Sequence, residues 1–588
     1  MTQPERRRHG SISLPVSSPA PPDRPPLSAL FLIDFDVKAG YTISWKRALP
    51  GLELQGRVEY KSLPSGLHTV ASDLVYFVHD AAHAGLGAFV NVPCDEVGAR
   101  HARMMAVGVL VPLSYGRLGR AWRHAASLEH MAAKLAKDPK AVDVLERYWQ
   151  SNKAKSDAEP PPANPQSRHG RGRSASDGLA LLQNKLSPYH PAWSLTGLLD
   201  RLGPLIFPIY RAALLRKRIL ISCHAPVRDM CHLVYVISIL SNIPQSVADS
   251  LPSSPPTPRL TPLFTVGVHD IPFLADQTDV GWIACTTDSI LAVKDTLWDM
   301  LVTMPAQPKA WPTVECPRGI AVKATQRDLR RYNALRAGLA RLAVPPDSPR
   351  GSETTASGQR LVRDDEPLDQ VIEPPSWASL AYNGYMWWAS AGEQLRSEAH
   401  EESSRDAALL ADLASPSSTT SLPDAALGES VASLQGRHRR VRRRRSGGEE
   451  TEEEARVELA IIAYFHRLTG QMLCVLDGLV DDGGGGVADE MRYRDSVGGD
   501  YDGVSGRCQQ QQQQHDDDDD DAQALLDSAS DSDSGIPVKV TSRCVDSMGL
   551  DVWSAADAAF IRDLVAVYFG REACVEGKGV EVCGVRVC

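Results

Sequence analysis

The residue pattern predicts an α/β protein: a sheet-first N-terminal block, a second block in which helices alternate with strands, and a helical C-terminal part. Three observations carry this. Between Leu27 and Gln150, the β-rich runs "LSALFLIDFD", "YTISWKRAL", "LVYFVHD" and "GLGAFVNVP" are punctuated by Gly, Pro and Asp before helical periodicity sets in. Further on, "RILISC", "LFTVGV" and "GWIACTT" are apolar on both faces and separated by helical stretches, the mark of central strands in a covered sheet. Beyond Trp311 the periodicity is helical, and it is interrupted by segments with almost nothing to bury.

The first block, 27–150, reads as an antiparallel meander of four or five strands, continued by the apolar run in "VGARHARMMAVGVLVPL". Leu128, Met131, Leu135, Val142, Leu145 and Tyr148 then recur at helical spacing, with Pro139 as a break. Residues 151–185 are rich in Pro, Ser and Arg and form a disordered linker. In the second block, 186–310, Leu198, Leu202, Leu205, Tyr210, Leu214 and Leu215 mark a helix before "RILISC". "APVRDMCHLVYVISILSNIP" continues as an apolar helix, and "SVADSLPSSPPTPRLTP" as an exposed loop. Residues 311–400 comprise an Arg-rich helix, "ATQRDLRRYNALRAGLARLAV", and the aromatic stretch "SWASLAYNGYMWWASAGEQL", which should be packed. Low-complexity sequence is expected over 401–453 and, acidic and Gln-rich, over 482–535, on either side of a helix at 454–481. Residues 536–588 supply a last helix and a strand or hairpin, and 1–26 a disordered arm.

At 588 residues the chain exceeds what one core supports, and two to four units are expected. A formal net charge of -10 excludes a general nucleic-acid binder, whose affinity needs a basic surface. The 11 cysteines show no CxxC pair, and residues such as Cys223, Cys231 and Cys474 sit in apolar contexts, as in a reducing cytosol. The N-terminus has no apolar core of signal-peptide length. The apolar stretch from Val457 to Val480 is interrupted by His466, Arg467 and Gln471, which are costly at mid-bilayer, so it reads as a buried helix.

Chemistry-bearing motifs are few. Cys285, His269 and Asp270 have the residue types of a thiol nucleophile, a base and an orienting carboxylate. Yet Cys285 lies inside an apolar strand, where a thiol behaves as a small hydrophobe. The better reading makes "HD" before "IP" a strand-to-turn boundary, with Asp288 opening a helix. There is no G-x-x-x-x-G-K-[ST] loop and no zinc-ligand spacing, so neither a catalytic residue, a metal nor a cofactor is assigned. "RHRRVRRRR" fits a nuclear-import or anionic-lipid patch, or a charge run balanced by "EETEEE". Ser11, Ser174 and Ser446 follow arginines and are phosphorylation candidates.

"FDVKAGYTISW", "VEYKSLPSGLHTVASDLVYF", "GLGAFVNVP", "RHARMMAVGVL", "LLRKRILISCHAP", "LFTVGVHDIPFL" and "GWIACTTDSIL" follow one another as in the LCHN-type DENN-domain family, covering most of residues 27 to 300. "SWASLAYNGYMWWAS" and "FHRLTGQML" resemble the extra C-terminal domain of its fungal branch. The resemblance implies a longin-like N-terminal module, a central α/β DENN module and a helical C-terminal part. It implies a guanine-nucleotide exchange factor for a Rab-type GTPase in membrane trafficking, seated between the first two modules. The chain would be cytoplasmic, or peripheral on endomembranes. Exchange needs no covalent chemistry: tighter binding of the nucleotide-free GTPase expels the nucleotide. The alternative is a DENN-fold scaffold without exchange activity. Asp73, Arg103, His269, Asp270 and Asp288 are the partner-surface candidates, each with a capping or ion-paired structural role as the competing reading. "GRVEYKS" and "RHARM" depart from the family's G-V-E-F-K-S and R-G-A-R-M, which bears on Rab preference.

Overall fold

The computed structural model describes residues 24–36, 40–93, 102–154, 185–249, 251, 259–307, 309–343, 368–411, 453–454, 456–481, 537–577, 580–582 and 585–587. Ser11, Ser174, Ser446, the arginine run and the acidic insertion lie outside them.

The N-terminal strands are β1 (Ala29–Asp36), β2 (Gly40–Ala48), β3 (Ser72–His79), β4 (His83–Pro93) and β5 (Ala102–Pro112). They pair antiparallel in the order β3-β4-β5-β1-β2. Two glycines permit close packing here. A Cβ on Gly85 would lie 2.3 Å from the Phe77 ring, and one on Gly108 would lie 2.3 Å from the Phe31 ring. The short helix α1 (Val58–Ser62) crosses between β2 and β3. On the sheet, α2 (Ala125–Lys137) buries Leu128, Met131, Ala132 and Leu135, and α3 (Asp143–Asn152) follows. The periodicity of these helices is the one expected.

In the second block, the single helix expected before "RILISC" is two, α4 (Leu195–Leu202) and α5 (Ile206–Leu214). Pro204 cannot continue the ladder, and Gly203 turns the chain at φ +58, with the Trp311 ring where a Cβ would stand. The strands are β6 (Ile219–Ser222), β7 (Thr261–Thr265), β8 (Trp282–Thr286) and β9 (Met300–Thr303), and the helix α6 (Arg228–Leu240) connects β6 to β7. Strands β9, β6, β8 and β7 run parallel in that order. The sheet passes residue 310, since β10 (Thr313–Cys316) pairs antiparallel with β9 and β11 (Ile320–Ala321) with β10.

The two blocks share one eleven-stranded sheet, joined where β3 meets β7 at a single antiparallel pair, Phe77 with Phe264. Phe264 takes a left-handed φ of +61, and the β7 register shifts between Pro262 and Phe264. Away from that pair the two strands part.

The C-terminal helices are α7 (Gln326–Ala343), α8 (Trp377–Ser390), α9 (Glu393–Ala411), α10 (Arg456–Asp481) and α11 (Ala555–Phe569). Two expectations are corrected here. Helix α9 continues past Glu401 to Ala411, because Asp406 accepts the Arg327 guanidinium in a fork at 2.8 Å and Leu410 closes over Gly338. The aromatic stretch on α8 is not packed: Trp377, Trp387 and Trp388 face outward. Helix α10 is long and apolar enough to cross a membrane by length and composition, but its Ile461, Phe465, Leu468, Met472, Leu473 and Leu476 are buried in the common core. The chain ends in a hairpin, Val580–Val582 with Val585–Val587.

Candidate functional site

Where β3 and β7 part, a groove with a cavity volume of about 1330 Å³ opens along the junction of the two blocks. Its walls come from α1, the end of β3, the loop after β5, the start of β7, and the turn between β7 and β8. Small-molecule pockets are typically about 300–1,000 Å³, so this groove is large for such a ligand and suited to a protruding protein surface.

The floor is tied across the junction by α1. Lys61 Nζ donates to the Val78 carbonyl at 2.9 Å and pairs with Asp270 Oδ1 at 2.9 Å. Asp270 in turn accepts from the Gly267 N–H at 3.0 Å, closing the turn Val268–Asp270. One residue away, the Tyr60 ring lies on His269 with centroids 3.9 Å apart. Tyr60 also meets Tyr41 edge-on at 6.0 Å, and Tyr41 meets Phe35 at 5.3 Å, so an aromatic row runs from β1 to the central turn. Burial and the nearby Asp288 raise the Tyr41 pKa. Tyr60, Val268 and Phe273 expose large apolar surface along the rim. Arg57, beside Asp80 in an ion pair, and Arg259 add positive charge. Burial lowers the His79 pKa against the opposing pull of Asp80.

Of the sequence-derived candidates, His269, Asp270 and Asp288 line this groove. His269 is exposed, whereas Asp270 is buried in its ion pair. Asp288 stands at the N-cap position of Ser289–Val293, but its carboxylate accepts from the Val268 N–H at 3.1 Å, across to the other turn. Thr286 Oγ1 instead accepts from the Asp288 N–H. Asp73 lies elsewhere. Its carboxylate accepts from the N–H groups of Val227 at 2.6 Å and Arg228 at 3.3 Å, capping α6, and from Leu74 N–H at 2.8 Å. Burial nevertheless lifts its pKa to about 6 against those three donors. Arg103 is half-buried on β5 opposite Val92, outside the groove.

Cys285 is fully buried, 3.8 Å from Cys231 Sγ and 3.9 Å from Thr265 Oγ1. The Cys223 thiol beside it, and burial, hold its pKa well above the usual thiol range. Among the described residues, no group of three or more His, Cys, Asp or Glu could hold a metal ion.

Sequence reasoning missed Tyr41, Tyr60, Lys61, Val268 and Phe273. Val58–Ser62, within the departure "GRVEYKS", is a helical turn that projects Tyr60 and Lys61 over the junction, and five residues are too few to show a helical period. Exposure of Val268 and Phe273 leaves no mark in an apolar run.

The family model described as DENN domain-containing protein 11 matches residues 30–311, and one described as a domain of unknown function (DUF4484) matches 372–588. The chain is 32% identical to DENN domain-containing protein 11 of Danio rerio over 282 residues, 47% of this chain and 53% of the relative. Against the Xenopus laevis protein of that name it is 33% identical over 281 residues, 47% of this chain and 59% of the relative. The chain thus spans little more than half the length of these relatives. A longer match, 24% identical over 419 residues, covers 63% of this chain and 73% of uncharacterized protein ANR2 of Saccharomyces cerevisiae. Residues 30–311 thus match the LCHN-type DENN-domain family, and the fungal relative, whose match outruns them, supports its fungal branch.

Proposed function

We propose that the groove between the two halves of the sheet seats a Rab-type small GTPase, and that the chain is its guanine-nucleotide exchange factor. The carrying observation is the parting of β3 and β7, which opens a wide, apolar-rimmed channel at the block junction. Tyr60, Val268 and Phe273 offer apolar contact, and aromatic anchors dominate protein interfaces. Exchange asks nothing of a nucleophile. The groove need only bind the nucleotide-free GTPase more tightly than the nucleotide-bound one, and each 1.4 kcal/mol of that difference is about tenfold in affinity.

The test is release of a fluorescent GDP analogue from a panel of Rab proteins by the full chain. Acceleration of at least one Rab is expected, together with a loss of about tenfold or more on combining Tyr60→Ala with Phe273→Ala, at unchanged thermal stability. Stable binding of a Rab without acceleration would replace exchange by the scaffold reading. Acceleration that ignores both substitutions would move the partner off this groove.

A further inference from the structure

Five Lys and Arg side chains line the groove, and they are not equivalent. Lys61 is held by the Val78 carbonyl and the buried Asp270. Arg117 donates to the Ser238 carbonyl and the Asn242 side-chain oxygen, which ties the loop after β5 to the end of α6. Arg120 is buried. That leaves Arg57 and Arg259, both exposed and one from each block.

The groove's carboxylates sort in the same way. Asp270 is committed to Lys61 and Asp288 to the Val268 N–H, so that both brace the central turn. Asp80 stands open and pairs with Arg57, the two side chains being 43% and 51% exposed. A pair so exposed adds little to stability and gives up its partner readily. Arg259 has no ion pair among the described residues. Beside it on the same wall lies Trp282, whose register partner Thr261 is two residues on from Arg259. Trp282 is 1% exposed, and its indole N–H finds no acceptor in the protein. A buried donor left in this way is an exception in native structures, and here it lines the wall that would receive an acceptor from outside. Asp276 and Asp279 of that block are exposed and flank Gln277, but neither lines the groove.

We propose that Arg57 and Arg259 set which GTPase the groove accepts, by pairing with carboxylates on either side of the partner's apolar contact surface. The inference rests on the reading of the groove as the seat of a GTPase and adds the chemistry of that partner: an apolar ridge, which meets Tyr60, Val268 and Phe273, flanked by acidic side chains. Arg57 exchanges Asp80 for one of these carboxylates, and Arg259 takes the other. In a chain of net charge -10, open cations at a groove select and steer: they speed the encounter with a complementary surface and penalise one that presents cations. Arg57 is also the residue by which "GRVEYKS" departs from the family pattern, as a residue that sets preference and leaves the common fold alone should be.

The experiment measures release of a fluorescent GDP analogue from each Rab that the full chain accelerates, with the second-order rate constant read at low and at physiological salt. Arg57→Glu combined with Arg259→Glu should lower that constant about tenfold at low salt and flatten its salt dependence, with the urea midpoint unchanged. Arg57→Lys with Arg259→Lys should keep most of the rate. Replacing the exposed carboxylates of the accelerated Rab by lysine, one at a time, should find at least one that restores the rate of the Glu double variant. A double variant that exchanges at the wild-type rate with the wild-type salt dependence overturns the inference and leaves the exchange reading standing. A fall that comes with a lowered urea midpoint and is equally large for the Lys variant also overturns it, by making the two arginines structural. If the wild-type chain accelerates no Rab, the exchange reading falls and this inference with it.

Discussion

Three histidines are folded as neutral bases, and their surroundings say why. His124 Nε2–H donates to the Pro25 carbonyl at 2.9 Å, which leaves Nδ1 to accept from the Tyr148 hydroxyl at 2.7 Å. His190 Nδ1 accepts from the Ala192 N–H, and His232 Nδ1 meets Ser194 Oγ at 2.7 Å. Burial is the main cause that lowers their pKa values, to about 4 for His124, about 3 for His190 and about 4 for His232. Below the ordinary histidine value of 6.5 the unfolded chain takes up protons that the native state refuses, so stability rises with pH across that window. It is fully present above pH 6.5 and is lost as pH falls towards 4, on the order of 1–2 kcal/mol per histidine at pH 5. Asp73 acts oppositely, because burial raises its pKa to about 6 and the native state protonates first. Asp557, raised chiefly by burial against the pull of Arg211, has the same sign. Burial likewise lowers His79, His83 and His466 and raises Glu373 and Glu458, so six histidines stand against four carboxylates. Urea midpoints should therefore fall between pH 7.5 and pH 5, and a midpoint that held or rose would refute the neutral-histidine account.

At the scale of elements, the start of α6 shows how one strand supports a helix of the other block. A helix begins with N–H groups that have no intrahelical acceptor. Here Asp73, at the head of β3, reaches across to Val227 and Arg228. Asp73→Ala should cost about 1–2 kcal/mol in a urea titration, and Asp73→Asn less, because its amide oxygen still accepts. Equal costs for the two would mean that charge, not capping, is what matters. Strands such as "RILISC" and "GWIACTT" were legible because full burial on both faces writes a continuous apolar run. The role of Asp73 was not, since its acceptor geometry joins residues 154 apart in the chain. The same limit hid the groove, whose floor is the pair Lys61 with Asp270 and whose rim is Tyr60 on His269. Helix α8 misled for a different reason: Trp and Tyr at helical spacing carry the same pattern whether they enter a core or leave it.

Across the whole molecule, the C-terminal helices complete the core of the second block. Every residue of α5 is buried. Its Phe207 and Tyr210 rings lie 5.7 and 5.0 Å from Phe465 of α10, and the Tyr568 hydroxyl of α11 donates to the Leu214 carbonyl at 2.6 Å. Arg211 forks onto Asp328 of α7 at 2.9 and 2.7 Å and pairs with Asp557 of α11 at 3.4 Å. On α6, the Ile239 carbonyl accepts from His466 Nε2 of α10. A chain ending at residue 310 would expose these rings, each worth about 1.5–3 kcal/mol when buried, and would strip Arg211 of both carboxylates, a loss of about 3–5 kcal/mol. Together they reach the 5–15 kcal/mol that ordinarily separates folded from unfolded domains. Residues 27–310 expressed alone should therefore aggregate, or elute expanded and unfold without cooperativity, while the full chain gives a sigmoidal urea transition. If the short chain instead unfolded cooperatively, the C-terminal helices would be a cover on an independent module. Activity gained on removing them could then be read as relief of inhibition. With the core shared, loss of nucleotide exchange in such a truncation would report unfolding, which is why the full chain is the object on which exchange has to be measured.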